Sequence, residues 1–170
     1  MFNLLLILQV NSFFMEELIK RFYTAFAKGD WQTMQACYHP DASFTDELFV
    51  DLKGKEVMNM WRMLLERSKG ELEITFSHVF SNEETGSTDW VAVYIFSATG
   101  RRVINRIHAE FELKDGKIFR HTDQFDLHRW AGQAMGWKGK LLGGTPFFRK
   151  KLQKIAMSSL RKYISKLNEH

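Results

Sequence analysis

The sequence predicts an α+β domain in which three helices come first and an antiparallel sheet follows, with a helical extension at the C-terminal end. Three observations carry this prediction. Apolar residues recur at helical spacing up to about residue 70, and the period then changes from 3.6 to 2. The links between the alternating segments are too short for anything but antiparallel neighbours. A chain of 170 residues that is 45% apolar and 14% aromatic has ample material for one buried core.

From Phe14 to Lys28, Leu18, Phe22, Ala25 and Phe26 share one helical face. Gly29 stops this helix. Asp30 caps a second, which runs through Met34 and Cys37 until His39-Pro40 ends it. "ASFTDELFV" alternates as a short strand. Gly54 precedes a third helix with Val57, Met58, Trp61, Leu64 and Leu65 on one stripe, closed by Gly70. Four strands come next, "ELEITFSHVF", "TDWVAVYIFSA", "RVINRIHAEFEL" and "KIFRHTDQFDL", separated by the turn sequences "SNEETGS", "TGR" and "KDG". No repeat, low-complexity tract or internal linker precedes about Gly132. In the tail, Pro146 suits a helix start, and Phe148, Leu152, Ile155, Ser159 and Tyr163 form a stripe opposite the basic residues. The expected division is an N-terminal extension (1–14), a central domain (15–130) and a basic helical tail (131–170).

The single cysteine, Cys37, rules out an internal disulfide and fits a reducing compartment, so the cytoplasm is the expected location. The opening "MFNLLLILQV" is far shorter than the roughly 20 apolar residues needed to span a bilayer. No basic residue precedes it and no small-x-small site follows, which disfavours a signal peptide. It is either an extra segment packed on the protein or a start codon placed too early, with Met15 as the natural beginning. The net charge of +4 is uneven. Residues 138 to 166 hold nine Lys/Arg and no acid, leaving fifteen basic against twenty acidic residues elsewhere. The basicity belongs to the tail, whose first expectation is a helix packed by its apolar stripe with lysines in solvent. Peripheral membrane contact is the second reading, given Phe147, Phe148 and Trp137 beside the charges, and nucleic-acid binding is not expected.

"FRHTDQFDLHRW" poses the functional question. Phe119, His121, Asp123 and Phe125 alternate along a strand and would face one way, aiming an imidazole and a carboxylate into an apolar layer. Cβ atoms two apart on a strand are about 6 to 7 Å from each other, so a water or substrate is expected between His121 and Asp123.

Helix, "KGDW", helix, "HPDASFTD", helix, then four long strands ending in "DQFDLHRW" resembles the nuclear-transport-factor-2-like superfamily, closest to its SnoaL-like and ketosteroid-isomerase-like branch, over about Met15 to Trp130. The continuation "DLHRWAGQAMG…LLGGTPF" is similar to bacterial members. The resemblance implies a cone of three helices on a strongly curved sheet, with a hydrophobic pocket at its open end and often a homodimer. It implies an inward set of Trp90, Ala92, Tyr94, Asn105, Ile107, His121, Asp123 and Phe125, which requires the "KDG" hairpin to carry a bulge or a three-residue loop. Asp46 falls where ketosteroid isomerases place their base, but Phe22 and Ala109 occupy the oxyanion-donor positions, which disfavours that activity. Asp123 matches one acid of limonene-epoxide-hydrolase-like members. Trp90 and Ala92 replace its partner Arg and Asp, and Thr45 and Glu47 replace the water-holding Tyr and Asn, which disfavours that route. SnoaL-like cyclases need a single acid/base carboxylate, which Asp123 beside His121 would supply.

The candidate catalytic residues are therefore Asp123, His121 and Asp46. The candidate ligand-binding residues are Asn105, Tyr94, Trp90, Trp61, Ile107 and Phe125. The expected activity is cofactor-free acid/base chemistry on a small apolar or cyclic compound. The alternative is a non-catalytic binding or dimeric interaction module in which Asn105 and Tyr94 complete the bonds of a structural His121–Asp123 pair. The histidine spacings suit no metal, and Asp126 is expected to face solvent or cap a turn.

Overall fold

The computed structural model describes residues 2–169, with side chains from residue 14 onward. Helix α1 (Phe2–Ala27) runs unbroken through the apolar opening, so the backbone shows no boundary at residue 14. Helix α2 (Trp31–Cys37) begins at Asp30, whose carboxylate accepts from the Thr33 amide at 3.0 Å. Strand β1 (Tyr38–Thr45) follows at once, then β2 (Leu52–Lys53) and helix α3 (Lys55–Ser68). The long strands are β3 (Glu73–Ser81), β4 (Thr85–Phe96), β5 (Arg101–Lys114) and β6 (Lys117–Phe125). Helices α4 (Leu127–Met135), α5 (Trp137–Leu142) and α6 (Pro146–Asn168) complete the chain.

All six strands form one sheet in the order β2-β1-β6-β5-β4-β3, antiparallel except where β1 lies parallel to β6. This is the predicted α+β cone, with the helices packed against the inner face of a curved sheet. The predicted strand Ala42–Val50 is corrected at both ends. It starts at Tyr38, with Pro40 accommodated in a register shift between Tyr38 and Ser43. It stops at Thr45, because Asp46 turns the chain by accepting from the Leu48 and Phe49 amides.

The β5–β6 hairpin carries the predicted bulge. Asp115 and Gly116 form its two-residue turn with φ of 52° and 71°, the left-handed values such a turn requires. Leu113 then pairs with Ile118 but Glu112 pairs with Arg120, so Phe119 is the extra residue. The bulge turns Ile118 inward and sends Phe119 outward against the His39 ring at 5.5 Å, correcting its assignment to the inner face. Beyond the bulge, Phe111 faces His121, Ala109 faces Asp123, and Ile107 lies between Trp90 and Phe125.

The C-terminal helices pack onto this body. Gly132 lies inside α4 against Lys140. Trp130, Ala131 and Ala134 of α4 are buried with Val103 and Leu152. Gln133 serves as a rung of the sheet: its amide oxygen accepts from the Ile104 amide at 2.9 Å and its Nε2 donates to the Ile104 carbonyl at 3.1 Å. Helix α6 packs on α3 and on α4, burying Leu160 in the main core and Leu152 beside Trp130 and Val103, each contributing about 1.5–3 kcal/mol. Arg67 donates to Ser159 and Tyr163 to Glu66 across this contact. Ile155, assigned to the inward stripe, is exposed, and Ala156 and Leu160 take the inward positions instead. Among the described residues, no helix is long and apolar enough to cross a membrane.

Candidate functional site

Strand β6 delivers His121 and Asp123 to the inside of the cone, where His121 is 0% and Asp123 4% exposed. The two side chains meet directly, with Nε2 of His121 3.0 Å from Oδ1 of Asp123, so no water or substrate separates them as expected from strand spacing.

The donors around the pair fix the direction of its hydrogen bonds. An indole N–H can only donate, so Trp61 Nε1 donates to the Tyr38 hydroxyl oxygen at 3.0 Å. The Tyr38 proton then goes to Nδ1 of His121, 2.6 Å away. In the tautomer that gives the Tyr38 proton this acceptor, the imidazole proton sits on Nε2 and points at Asp123 Oδ1, which also accepts from Trp90 Nε1 at 3.2 Å. The partners expected for a structural pair, Asn105 and Tyr94, are not the ones used. Tyr94 accepts instead from Trp130 Nε1 of α4 at 2.8 Å, and Asn105 lies half-buried opposite Ala92.

Rings enclose this relay. Phe111 lies 4.5 Å from the imidazole, Phe44 5.1 Å, and Phe22 and Trp61 5.8 Å, with Trp61 stacked. Burial holds the Tyr38 phenol well above its usual pKa, so it remains a donor. Tyr23 of α1 has the one buried side-chain polar atom without a hydrogen-bond partner among the described residues. Burial first, and the Asp123 charge second, push its phenol well above the usual range. Both hydrogen bonds of Asp123 fall on Oδ1, leaving Oδ2 with none among the described residues.

Asp46 stands apart from the relay. Its Oδ1 accepts from the Leu48 amide at 2.6 Å and the Phe49 amide at 2.5 Å, while its own amide donates to the Phe49 carbonyl at 2.8 Å. Although Asp46 is only half-buried, desolvation outweighs these donors and, with the Asp123 charge adding to it, raises its pKa to about 7. The Asp46 charge is also felt by Tyr94. The structure therefore has an inner tier of Trp61, Tyr38, His121, Asp123, Trp90 and Tyr23, and an outer tier of Asp46, Tyr94 and Trp130.

Three of these residues were missed in the sequence. Tyr38 was hidden at the helix end before His39-Pro40, Tyr23 beside the helical stripe, and Trp130 at the expected domain edge. As expected, Asp126 faces away and caps α4, accepting from the Arg129 amide at 2.9 Å.

A cone-shaped sheet with an acid and an imidazole on its last strand defines a class, and the comparisons supply its name. Residues 19–121 match the SnoaL-like domain, and the chain belongs to that family, within the nuclear-transport-factor-2-like superfamily. No curated protein matches the sequence. Among solved structures, Bal32a from a soil-derived mobile gene cassette is similar over 73% of this chain and 98% of its own, at 21% identity and a TM-score of 0.64. A limonene-epoxide-hydrolase-like (LEH-like) epoxide hydrolase of M. tuberculosis is similar over 78% of this chain and 92% of its own, at 21% identity and a TM-score of 0.56. TerC, co-crystallised with polyporic acid, is similar over 66% of this chain and 92% of its own, at 16% identity and a TM-score of 0.57. At these identities the likeness is one of fold.

Proposed function

We propose that the cone binds a small, largely apolar cyclic carbonyl compound and moves a proton on it without a cofactor, with Asp123 as the base. The observation that carries this reading is the buried Tyr23 hydroxyl, left without a partner in an otherwise satisfied interior, together with an Asp123 whose hydrogen bonds both fall on Oδ1. An unpaired buried hydroxyl costs about 1–3 kcal/mol, a cost that a ligand's polar atom would remove. Oδ2 takes the proton from the carbon beside the carbonyl, and the C–H electron pair passes into the carbonyl to give an enolate. Tyr23 donates a hydrogen bond to that oxygen. In a substrate with a double bond next to that carbon the enolate is a dienolate, and return of the proton from Oδ2 to its far carbon completes an isomerisation. With a second carbonyl in reach, attack of the enolate carbon on it gives an alkoxide that takes the proton back from Oδ2 and completes a cyclisation. His121, fixed by Tyr38 and Trp61, is a positioning residue that holds Asp123 Oδ1. Asp46, titrating about neutrality, is the second carboxylate of the site. The co-crystallisation of TerC, a protein of similar fold, with polyporic acid supports a small-molecule ligand for this cone.

Proton exchange tests the proposal without a known substrate. In deuterated buffer, the wild type is expected to speed loss of the α-proton signal of a cyclic ketone in NMR spectra. Asp123→Asn should slow that exchange by about a hundredfold or more. Exchange no faster than buffer across a panel of cyclic ketones and enones would defeat the catalytic reading.

The close ring packing around His121 favours a second reading, a non-catalytic ligand-binding or dimeric interaction module. Under it, the same compounds raise the melting temperature of the wild type without exchanging.

A further inference from the structure

The tail displays apolar side chains that the sequence assigned to no core. Helix α5 turns only a glycine inward: Gly139 is its one buried position, Gly143 just beyond its end is buried too, and a Cβ on Gly139 would lie 1.8 Å from the Ala131 carbonyl oxygen of α4. The helix thus lies backbone against backbone on α4, and its large residues have no inward place to go. Trp137 is 70% exposed, Leu141 70%, Leu142 45%, and Phe147, in the first turn of α6, 78%.

These residues are held together. The Thr145 amide and hydroxyl both donate to the Leu142 carbonyl, at 2.9 and 2.8 Å, tying the end of α5 to the start of α6. Lys138, Lys140, Lys150 and Lys151 are exposed around them, Lys138 lying 5.7 Å from the centre of the Trp137 ring. Arg149 is the one basic residue of this stretch with an ion-pair partner among the described residues, Glu47 at 2.8 Å.

We propose that this patch docks the protein on an anionic membrane surface, with Trp137, Leu141, Leu142 and Phe147 entering the interface and the lysines meeting lipid headgroups. Apolar side chains exposed beside lysines that have no ion-pair partner among the described residues match a surface that is negative outside and hydrocarbon beneath. Nucleic acid would satisfy the lysines but leave four apolar side chains in water. A protein partner would have to supply an acidic rim around an apolar hollow. No helix among the described residues suits a span, so the contact is interfacial.

Co-sedimentation of the full chain with vesicles tests this, at about 0.1 M salt where charges are screened beyond about 10 Å. The wild type should pellet with phosphatidylcholine–phosphatidylserine vesicles and hardly at all with phosphatidylcholine alone. Trp137→Ala/Leu141→Ser/Phe147→Ser removes exposed side chains only, so it should keep the wild-type melting temperature yet partition at least tenfold more weakly. Lys138→Gln/Lys150→Gln/Lys151→Gln should lose roughly a hundredfold, from about 1 kcal/mol per basic residue near such a surface, and most of its salt dependence. Equal binding to both vesicle types would overturn the proposal, as would wild-type partitioning of the apolar variant. Failure of the wild type to pellet would do the same, as would an apolar variant that only dissociates self-associated protein or keeps its grip on duplex DNA.

Discussion

The two carboxylates of the cone are held in opposite ways. Asp123 takes its bonds from side chains brought together by the whole fold, an indole of β4 and an imidazole whose other face is set by Tyr38 and Trp61. Asp46 takes its bonds from backbone amides two and three residues ahead, in a turn it makes itself. The first arrangement exists only in the folded protein and engages one oxygen of the acid, Oδ1. The second is local, and burial works against the charge it holds. A long-range network thus orients one acid while a short-range turn leaves the other free to titrate about neutrality.

Removing the centre of the network should have the largest effect. His121→Ala leaves a hole among four rings and strips a partner from both Asp123 and Tyr38, so urea denaturation should show a loss of about 3–5 kcal/mol. A loss below about 1 kcal/mol would mean that the two acids are not held as differently as described.

Asp46 should show itself in the pH dependence. Its carboxyl keeps its proton in the native state up to about pH 7 but loses it near its ordinary value of 3.8 when unfolded. The native state therefore binds more protons between these values, so this group's effect on stability declines as pH rises through the window and levels off above it. Asp46→Asn keeps an oxygen for the two amides and removes the titration. Its melting temperature should exceed that of the wild type above pH 7, with the difference vanishing near pH 4. An unchanged profile would place the Asp46 carboxyl in the ordinary range.

Tyr23→Phe should have the smallest effect on folding. It removes the hydroxyl that lacks a partner, so stability should hold or rise by up to about 1 kcal/mol while cyclic ketone binding weakens. A loss of more than about 1 kcal/mol would show that the hydroxyl is already paired.

How much of this was legible depended on how local each feature is. The order of elements follows from period and turns, and the shared face of His121 and Asp123 from alternation, all features of neighbouring residues, whereas the inward direction of that face and the bulge it requires were implied by the resemblance. The relay does not, because Tyr38 meets His121 through the parallel pairing of β1 with β6, some eighty residues apart, and nothing near Tyr38 announces it. The bulge was legible as a necessity but not as a position, so Phe119 was placed on the wrong face. The outward residues of α5 could have been suspected from Gly139 and Gly143 four apart, a spacing that leaves a helix no bulky inward side.

The amide of Gln133 has a consequence for where this protein can be cut. Strand β6 reaches along β5 only as far as Ile107, and beyond that point the side chain of Gln133 stands in for a missing strand. A chain ending at residue 130 would keep nearly every residue of the cone yet bare the Ile104 amide and carbonyl. Such an open rung recruits strands from other molecules, and the shortened protein would be prone to join its own copies edge to edge.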